Sequence, residues 1–162
     1  MTLYELITFT VRVRTPAEAM GRLQASLQVH QPGVVLAGCW VSEIGPQNQI
    51  AVLRGFPDAE TRVQERARYL QAADAFGIAD LLLEMQVADY SLFPFLEPLA
   101  PGAHGPFYEL REYNLIPSGL APTLAGWQKA VGPRTGPRYS AVYAAFYACL
   151  LYTSDAADDS LR

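Results

Sequence analysis

The chain has 162 residues, which is enough for one large domain or for one domain and part of another. With 12 basic and 16 acidic residues its formal net charge is −4, and this balance argues against a nucleic-acid-binding surface. Two histidines and two cysteines provide neither a disulfide framework nor a metal-ligand set, so we expect no metal, no cofactor and no histidine-dependent catalysis.

The chain opens with a predicted strand and a predicted helix. Residues 3–13 are rich in β-branched and aromatic side chains, which indicates a strand. Thr15, Pro16 and Glu18 then have the spacing of an N-cap, a first-turn proline and a capping-box glutamate. The sequence therefore predicts a helix from this point to about His30, where a Pro-Gly pair follows.

A hairpin, a second helix and a fourth strand follow. Residues 34–44 and 49–56 are predicted strands, joined by a turn at 45–48. Residues 57–58 predict the start of a second helix, and residues 84–92 predict a closing strand. The predicted apolar face of the second helix carries Val63, Ala67 and Leu70.

This order of elements, β-α-β-β-α-β, predicts an α+β fold of the ferredoxin-like type. In such a unit the helices cover one face of the sheet and leave the other bare. In the first strand Glu5 shares a face with Ile7 and Phe9, whereas Tyr4 and Leu6 point the other way. Because both faces carry apolar side chains, we expect the bare face to pack against a second sheet.

The first strand and the first helix recur later in the chain. The pattern of residues 3–6 returns at 107–110. The apolar face of the first helix also has counterparts at the matching positions, which pair Met20 with Leu124, Leu23 with Trp127 and Leu27 with Val131. The second set keeps the helical spacing of the first, so we predict one complete copy and one partial copy of the same unit.

The repeat predicts the domain organisation. One complete unit occupies residues 1–95, a linker follows at 96–105, and a second, truncated unit begins in residues 106–148. Residues 149–162 are expected to be a non-native tail, because residues 149–159 look like a translated sequencing-library adapter.

Two segments resemble the NIPSNAP family. Residues 107–113, followed by Gly119 and a helix with Trp127, are similar to the opening of a NIPSNAP domain, and residues 37–49 are similar to its second strand and turn. The resemblance implies the dimeric α/β-barrel fold, in which two ferredoxin-like sheets face each other. The two sheets would come from the repeats of one chain or from a homodimer. The resemblance implies no assured activity.

The candidate ligand-binding residues lie on the predicted strands and turn. Glu5 and Glu109 are equivalent carboxylates, which would hold a ligand between two sheets or would each pair with an arginine. Asn48 suits a ligand contact or the turn itself, and Trp40 suits a stacking contact or the core. The full set of candidates is Glu5, Trp40, Asn48, Gln49, Glu109, Arg111 and Tyr113.

Two functions are compatible with this sequence. The first is a NIPSNAP-like protein that acts without catalysis, through barrel pairing or through a protein partner. The second is a small-molecule enzyme of the cofactor-independent monooxygenase type, which would use the cavity between the sheets. The sequence offers no nucleophile–base pair, and this favours the first function.

The sequence also predicts the cellular setting. The first residues lack the basic and apolar regions of a secretion signal. The apolar run from Tyr139 to Tyr152 is shorter than the about 20 residues that a membrane-spanning helix requires. We therefore expect a cytoplasmic protein with no membrane span.

Overall fold

The computed structural model describes residues 3–28, 32–134 and 142–148. Within those ranges the chain forms five strands and three helices. In chain order they are β1 (Leu3–Val11), α1 (Pro16–Leu27), β2 (Val35–Val41), β3 (Gln49–Phe56), α2 (Ala59–Gln71), β4 (Leu82–Leu92), α3 (Leu120–Arg134) and β5 (Phe146–Ala148).

The strands form one antiparallel sheet in the order β2-β3-β1-β4-β5. β1 lies at its centre, where Ile7 pairs with Val52 of β3 on one side and with Val87 of β4 on the other. The first four strands and two helices follow the order β-α-β-β-α-β, which confirms the predicted α+β, ferredoxin-like unit.

The main core lies between the sheet and the first two helices. β1 contributes Ile7 and Phe9, α1 contributes Leu23, and all three side chains are fully buried. The Phe9 ring meets the Phe76 ring edge-on at 4.9 Å, and Phe76 stacks on Tyr69 at 4.5 Å. Burying each large apolar side chain stabilises the fold by about 1.5–3 kcal/mol, so this layer supplies much of the driving force for folding.

The predicted capping box of α1 is wrong. Thr15 adopts a helical backbone and its hydroxyl donates to the Arg12 carbonyl at 2.7 Å instead of accepting from the helix. Glu18 forms an ion pair with Arg22, one turn further on, because a guanidinium at this spacing lies within reach of the carboxylate. The helix ends at Leu27, and its predicted end at His30 lies outside the described residues.

The predicted apolar face of α2 is also wrong. Asp58 caps the helix as expected, because its carboxylate accepts from the Thr61 N–H at 2.7 Å. The helix, however, turns Glu65 and Tyr69 toward the sheet, and the predicted face, formed by Val63, Ala67 and Leu70, is exposed. The cause is a buried arginine on β3, described below, which requires a carboxylate from α2.

The second half of the chain forms α3 and β5. The predicted counterpart helix is present as α3, and β5 pairs antiparallel with Tyr90–Leu92 at the end of β4. The first strand of the second copy, expected where the pattern of residues 3–6 returns at 107–110, does not form, because this segment pairs with no strand in the described part of the chain and is exposed. An extended segment becomes a strand only when a neighbour receives its backbone hydrogen bonds. The predicted tail, 149–162, lies outside the described residues.

A buried leucine on α1 and an exposed leucine on α2 allow a direct test of where the core lies. Leu23→Ala should lower the free energy of unfolding by about 2–5 kcal/mol, because it opens a cavity in the main core. Leu70→Ala makes the same chemical change on a side chain that is 78% exposed, and it should change stability by less than about 0.5 kcal/mol. Urea denaturation measures both. Equal losses would show that α2 is rotated toward its predicted face.

Candidate functional site

The face of the sheet opposite α1 and α2 carries a second apolar cluster, and we call it the open sheet face. Tyr4 and Leu6 of β1 lie on it, because side chains alternate along a strand and Glu5, Ile7 and Phe9 face the helices. The rest of the cluster comes from the neighbouring strands, namely Ala37, Trp40, Leu53, Tyr90 and Leu92.

Residues from the second half of the chain cover one end of the open sheet face. The Tyr4 hydroxyl accepts from the Leu99 N–H at 2.9 Å, and the Tyr143 hydroxyl donates to the Ala37 carbonyl at 3.0 Å. The Phe146 ring lies 5.0 Å from the Tyr4 ring. These contacts tie β1 and β2 to residues distant in sequence.

Trp40 lies on this face and packs over its own strand. A Cβ atom built on Gly38 would lie 2.0 Å from the Trp40 ring, far inside any real contact, so only glycine leaves room for this ring position. The ring of Tyr108 lies 5.1 Å from the Trp40 ring. Trp40 is therefore half-buried between its own strand and Tyr108.

A groove of about 240 Å³ lies beside the covered end. Its lining side chains are apolar apart from the Tyr4 hydroxyl, which already accepts a hydrogen bond from the Leu99 N–H. The lining residues are Tyr4, Gly33, Val35, Gly55, Phe56, Pro57, Pro98 and Leu99.

Glu5 lies on the other side of the sheet, in a buried ion cluster that consists of Glu5, Arg54, Glu65 and Arg68. Arg54 is 3% exposed and donates from Nε to Glu5 at 3.1 Å, and its Nη1 lies 3.5 Å from Glu65. Arg68 binds Glu65 with two hydrogen bonds, of 2.7 and 3.1 Å. Glu5 thus pairs with an arginine among the helices and does not face the open sheet face.

The charges of the buried ion cluster control its protonation. Burial acts to raise the pKa of Glu65, but the hydrogen bond and charge of Arg68 and the charge of Arg54 outweigh it, so its pKa lies below the usual 4.5. Burial raises the pKa of the Tyr69 phenol, whose ring centroid lies 4.6 Å from the Arg54 guanidinium. Glu65 is thus ionised at neutral pH.

Asn48 and Gln49 hold the β2–β3 turn against the end of β1. Asn48 has a φ of 58°, a left-handed conformation that asparagine tolerates better than most residues. Its carbonyl accepts from the Val11 N–H at 2.9 Å. The Gln49 N–H donates to the Ser42 hydroxyl at 3.2 Å. Both residues therefore have contacts that fix the turn.

Glu109, Arg111 and Tyr113 lie in the exposed segment before α3. Arg111 and Glu109 form an ion pair at 2.7 Å, in which both side chains remain mostly exposed. The hydrogen bond from Arg111 lowers the pKa of Glu109, although the pair is open to solvent. The structure does not bring these residues together with Glu5, Trp40 or Asn48.

Other chemical groups are sparse among the described residues. Burial raises the pKa of the Cys39 thiol to about 11, so the thiol stays protonated and unreactive at neutral pH. Within those ranges no three His, Cys, Asp or Glu side chains gather in a way that would hold a metal ion. The helices described are also too short or too polar to cross a membrane.

Sequence reasoning missed Arg54, Glu65 and the covering residues Tyr108 and Tyr143. A signal for Arg54 was present, because it is the one charged residue in the predicted strand 49–56. Its register opposite Glu5 depends on the order of the strands, which places β3 beside β1. Glu65 then follows, because a buried arginine requires more than one acceptor.

Comparisons with known proteins agree on one family. A model of the NIPSNAP family matches residues 4–88. A crystal structure of an uncharacterised NIPSNAP-like domain protein from Burkholderia xenovorans is 26% identical, with a TM-score of 0.53, and the match covers 62% of this chain and 92% of that one. A second NIPSNAP domain protein from the same organism is 21% identical, with a TM-score of 0.51, over 59% of this chain and 99% of that one. No curated protein matches the chain.

The close approach of Trp40 and Gly38 predicts a coupled pair. Gly38→Ala should cost about 1–3 kcal/mol of unfolding free energy, because the new methyl group forces the indole away. In a Trp40→Ala background the same change should cost almost nothing, because the space is free. Urea denaturation of the four proteins completes the double-mutant cycle. A cost that persists without the indole would mean that the strand backbone, and not Trp40, rejects the methyl group.

The lowered pKa of Glu65 predicts how stability depends on pH. A carboxylate whose pKa is lower in the folded state stabilises the fold above its unfolded pKa, and this contribution is lost as the pH falls. The free energy of unfolding should therefore fall from about pH 6 to about pH 3, and Glu65→Gln should make this dependence shallower.

Glu60→Gln is the matched control, because Glu60 lies on the exposed side of α2. It should leave the pH dependence as steep as in the wild type. The slope that survives Glu65→Gln belongs in part to Asp58, whose pKa is lowered by the hydrogen bond from the Thr61 backbone. Equal slopes for Glu65→Gln and the wild type would contradict the assignment.

Proposed function

Because the chain belongs to the NIPSNAP family, we propose that it acts by association through its open sheet face and not by catalysis. In this proposal the second half of the chain covers one end of the face. A second sheet, from another copy or from a protein partner, packs on the remainder. Paired sheets lie about 10 Å apart, so side chains of the two partners would fill the gap between them.

The proposal rests on the contacts that the open sheet face already makes with distant residues of its own chain. Leu99, Tyr108, Tyr143 and Phe146 contact it through two hydrogen bonds and several ring pairs. Aromatic pairs of this kind contribute about 0.5–1.5 kcal/mol each beyond their buried area. A surface that binds distant parts of its own chain in this way is suited to bind other proteins.

The other end of the open sheet face is not covered by any of the residues that the structure describes. Thr8 and Thr10 lie there on β1, beside Gln86 and Glu84 on β4. These side chains are partly or fully exposed, and they form a polar surface next to the aromatic end. Reversible protein interfaces combine an apolar centre with a polar rim, and this gradient matches that arrangement.

The alternative, a cofactor-independent monooxygenase, would need a pocket in which several polar groups converge on a substrate. The groove beside the covered end offers the Tyr4 hydroxyl, which already has a partner in the Leu99 N–H. Its other lining side chains are apolar. The groove therefore favours association over catalysis.

Removing one covering side chain tests the proposal. Tyr143→Ala removes the hydrogen bonds to Ala37 and Ala100 and the ring contact with Tyr108, and so should expose Tyr4 and Trp40. The variant should bind a hydrophobic dye such as ANS and form assemblies larger than the wild type as its concentration rises. Fluorescence and sedimentation velocity measure the two effects.

Tyr113→Ala is the control, because it removes the same side chain from the exposed segment before α3. It should bind no more dye than the wild type and should keep the wild-type mass. If Tyr143→Ala behaves like this control in both measurements, the open sheet face does not drive association and the proposal fails.

A further inference from the structure

Residues 107–113, which we call the exposed segment, present several large apolar side chains to solvent. Phe107, Leu110 and Tyr113 are 82%, 74% and 65% exposed. Among the residues that the structure describes, no strand pairs with this segment. Large apolar patches on a protein surface mark sites of interaction with other molecules. The exposed segment is therefore a candidate binding surface.

One end of the exposed segment is fixed on the open sheet face. The Tyr108 hydroxyl accepts from the His104 N–H at 2.7 Å, and the Tyr108 ring lies 5.1 Å from the Trp40 ring. Side chains alternate along an extended chain, so Phe107 and Glu109 lie on the side opposite to Tyr108. That side is free for a partner, and a segment that is already positioned loses less entropy on binding.

β1 shows what a strand of this pattern binds. With the offset of 104 residues, Glu109 corresponds to Glu5. Glu5 lies opposite Arg54 in the antiparallel ladder of β1 and β3, and the Arg54 Nε donates to it at 3.1 Å. Glu109 pairs instead with Arg111, and both side chains of this pair are more than half exposed. Surface pairs contribute about 0–1 kcal/mol, so an arginine from a partner can replace Arg111 at little cost.

We propose that the exposed segment binds an extended polypeptide strand that carries an arginine. The strand adds antiparallel to the segment and places its arginine opposite Glu109, as Arg54 lies opposite Glu5. Backbone hydrogen bonds supply the affinity, and the charged pair fixes the register. β3 itself is paired on both sides, with β1 and β2, so the strand comes from another polypeptide.

Arg111 sets a second condition on the partner strand. The corresponding residue of β1 is Ile7, which lies opposite Val52, two residues before Arg54. Once an arginine of the partner holds Glu109, Arg111 requires a carboxylate at the position of Val52, because opposite charges across a ladder stabilise it. The strand that fits best therefore has a carboxylate, one intervening residue and an arginine, in this order.

This surface is distinct from the open sheet face, because it uses the other side of the exposed segment. The inference therefore does not rest on the proposed function. The variants that test it leave Tyr4, Trp40 and Tyr143 unchanged, so its failure and the failure of the proposed function can be told apart.

Peptides with the sequence of residues 48–57 test the chemistry of the partner without any change to the protein. The natural peptide should bind the full chain saturably, as measured by fluorescence anisotropy of a labelled peptide. Its Arg54→Met version should bind about tenfold more weakly, because it loses a charged hydrogen bond. Its Val52→Glu version should bind about threefold more tightly, because the glutamate meets Arg111.

A charge reversal tests the register. Glu109→Arg in the chain should abolish binding of the natural peptide, and a peptide with Arg54→Glu should restore it. Glu112→Arg is the matched control, because it makes the same change on the opposite side of the exposed segment, and it should leave binding unchanged. Thermal melts confirm that both variants fold.

Three results would overturn the proposal. The first is that the wild type binds neither the natural peptide nor its Val52→Glu version. The second is that Glu109→Arg binds the natural peptide as well as the wild type does, or that the reversed peptide fails to restore binding. The third is a dimer of the chain alone that Glu109→Arg dissociates in sedimentation velocity, because the segment would then bind a second copy of itself.

Discussion

The burial of Arg54 is the constraint on which the arrangement of this unit depends. A guanidinium has five N–H donors and keeps its charge, so it can be buried only if carboxylates surround it. β1 supplies Glu5 through the strand register, and α2 supplies Glu65 by turning its acidic face inward. Removing one partner of such a pair costs about 3–5 kcal/mol, because it leaves a buried charge without compensation. The orientation of α2 therefore follows from the charge on β3.

The two faces of the sheet are covered in different ways. On the helix side, apolar packing and the buried ion cluster fill the space between sheet and helices. The opposite side has no helix, and its aromatic end is covered by residues that follow β4 in the chain. A sheet with helices on one side needs another segment or another molecule to cover the apolar side chains of its other side. The open sheet face, through which we propose that the chain associates, is thus a consequence of the fold.

Local signals predicted some elements well and failed where distant contacts decide. β3 begins and ends as predicted, at Gln49 and Phe56, because a turn precedes it and a proline follows it. The α2 cap at Asp58 was also predictable, since it depends on residues within one turn. The buried face of α2 was not, because apolar periodicity carries no information about a charge on another strand. The strand pattern that includes Glu5 also did not show which face of the sheet the helices would cover. The side covered by the helices decided that Glu5 pairs with a buried arginine.

The two copies of the β1 pattern show the same limit most directly. Residues 3–6 and 107–110 share an aromatic and aliphatic pattern around a glutamate, yet β1 is the centre of the sheet and the later segment is exposed. β1 has β3 on one side and β4 on the other, so its backbone hydrogen bonds are satisfied and its apolar side chains are buried. The later segment has no such neighbours among the described residues, and its glutamate pairs locally with Arg111 instead of with a buried arginine. A strand pattern therefore indicates only that a segment can pair, and a strand forms only where neighbouring strands receive its backbone hydrogen bonds.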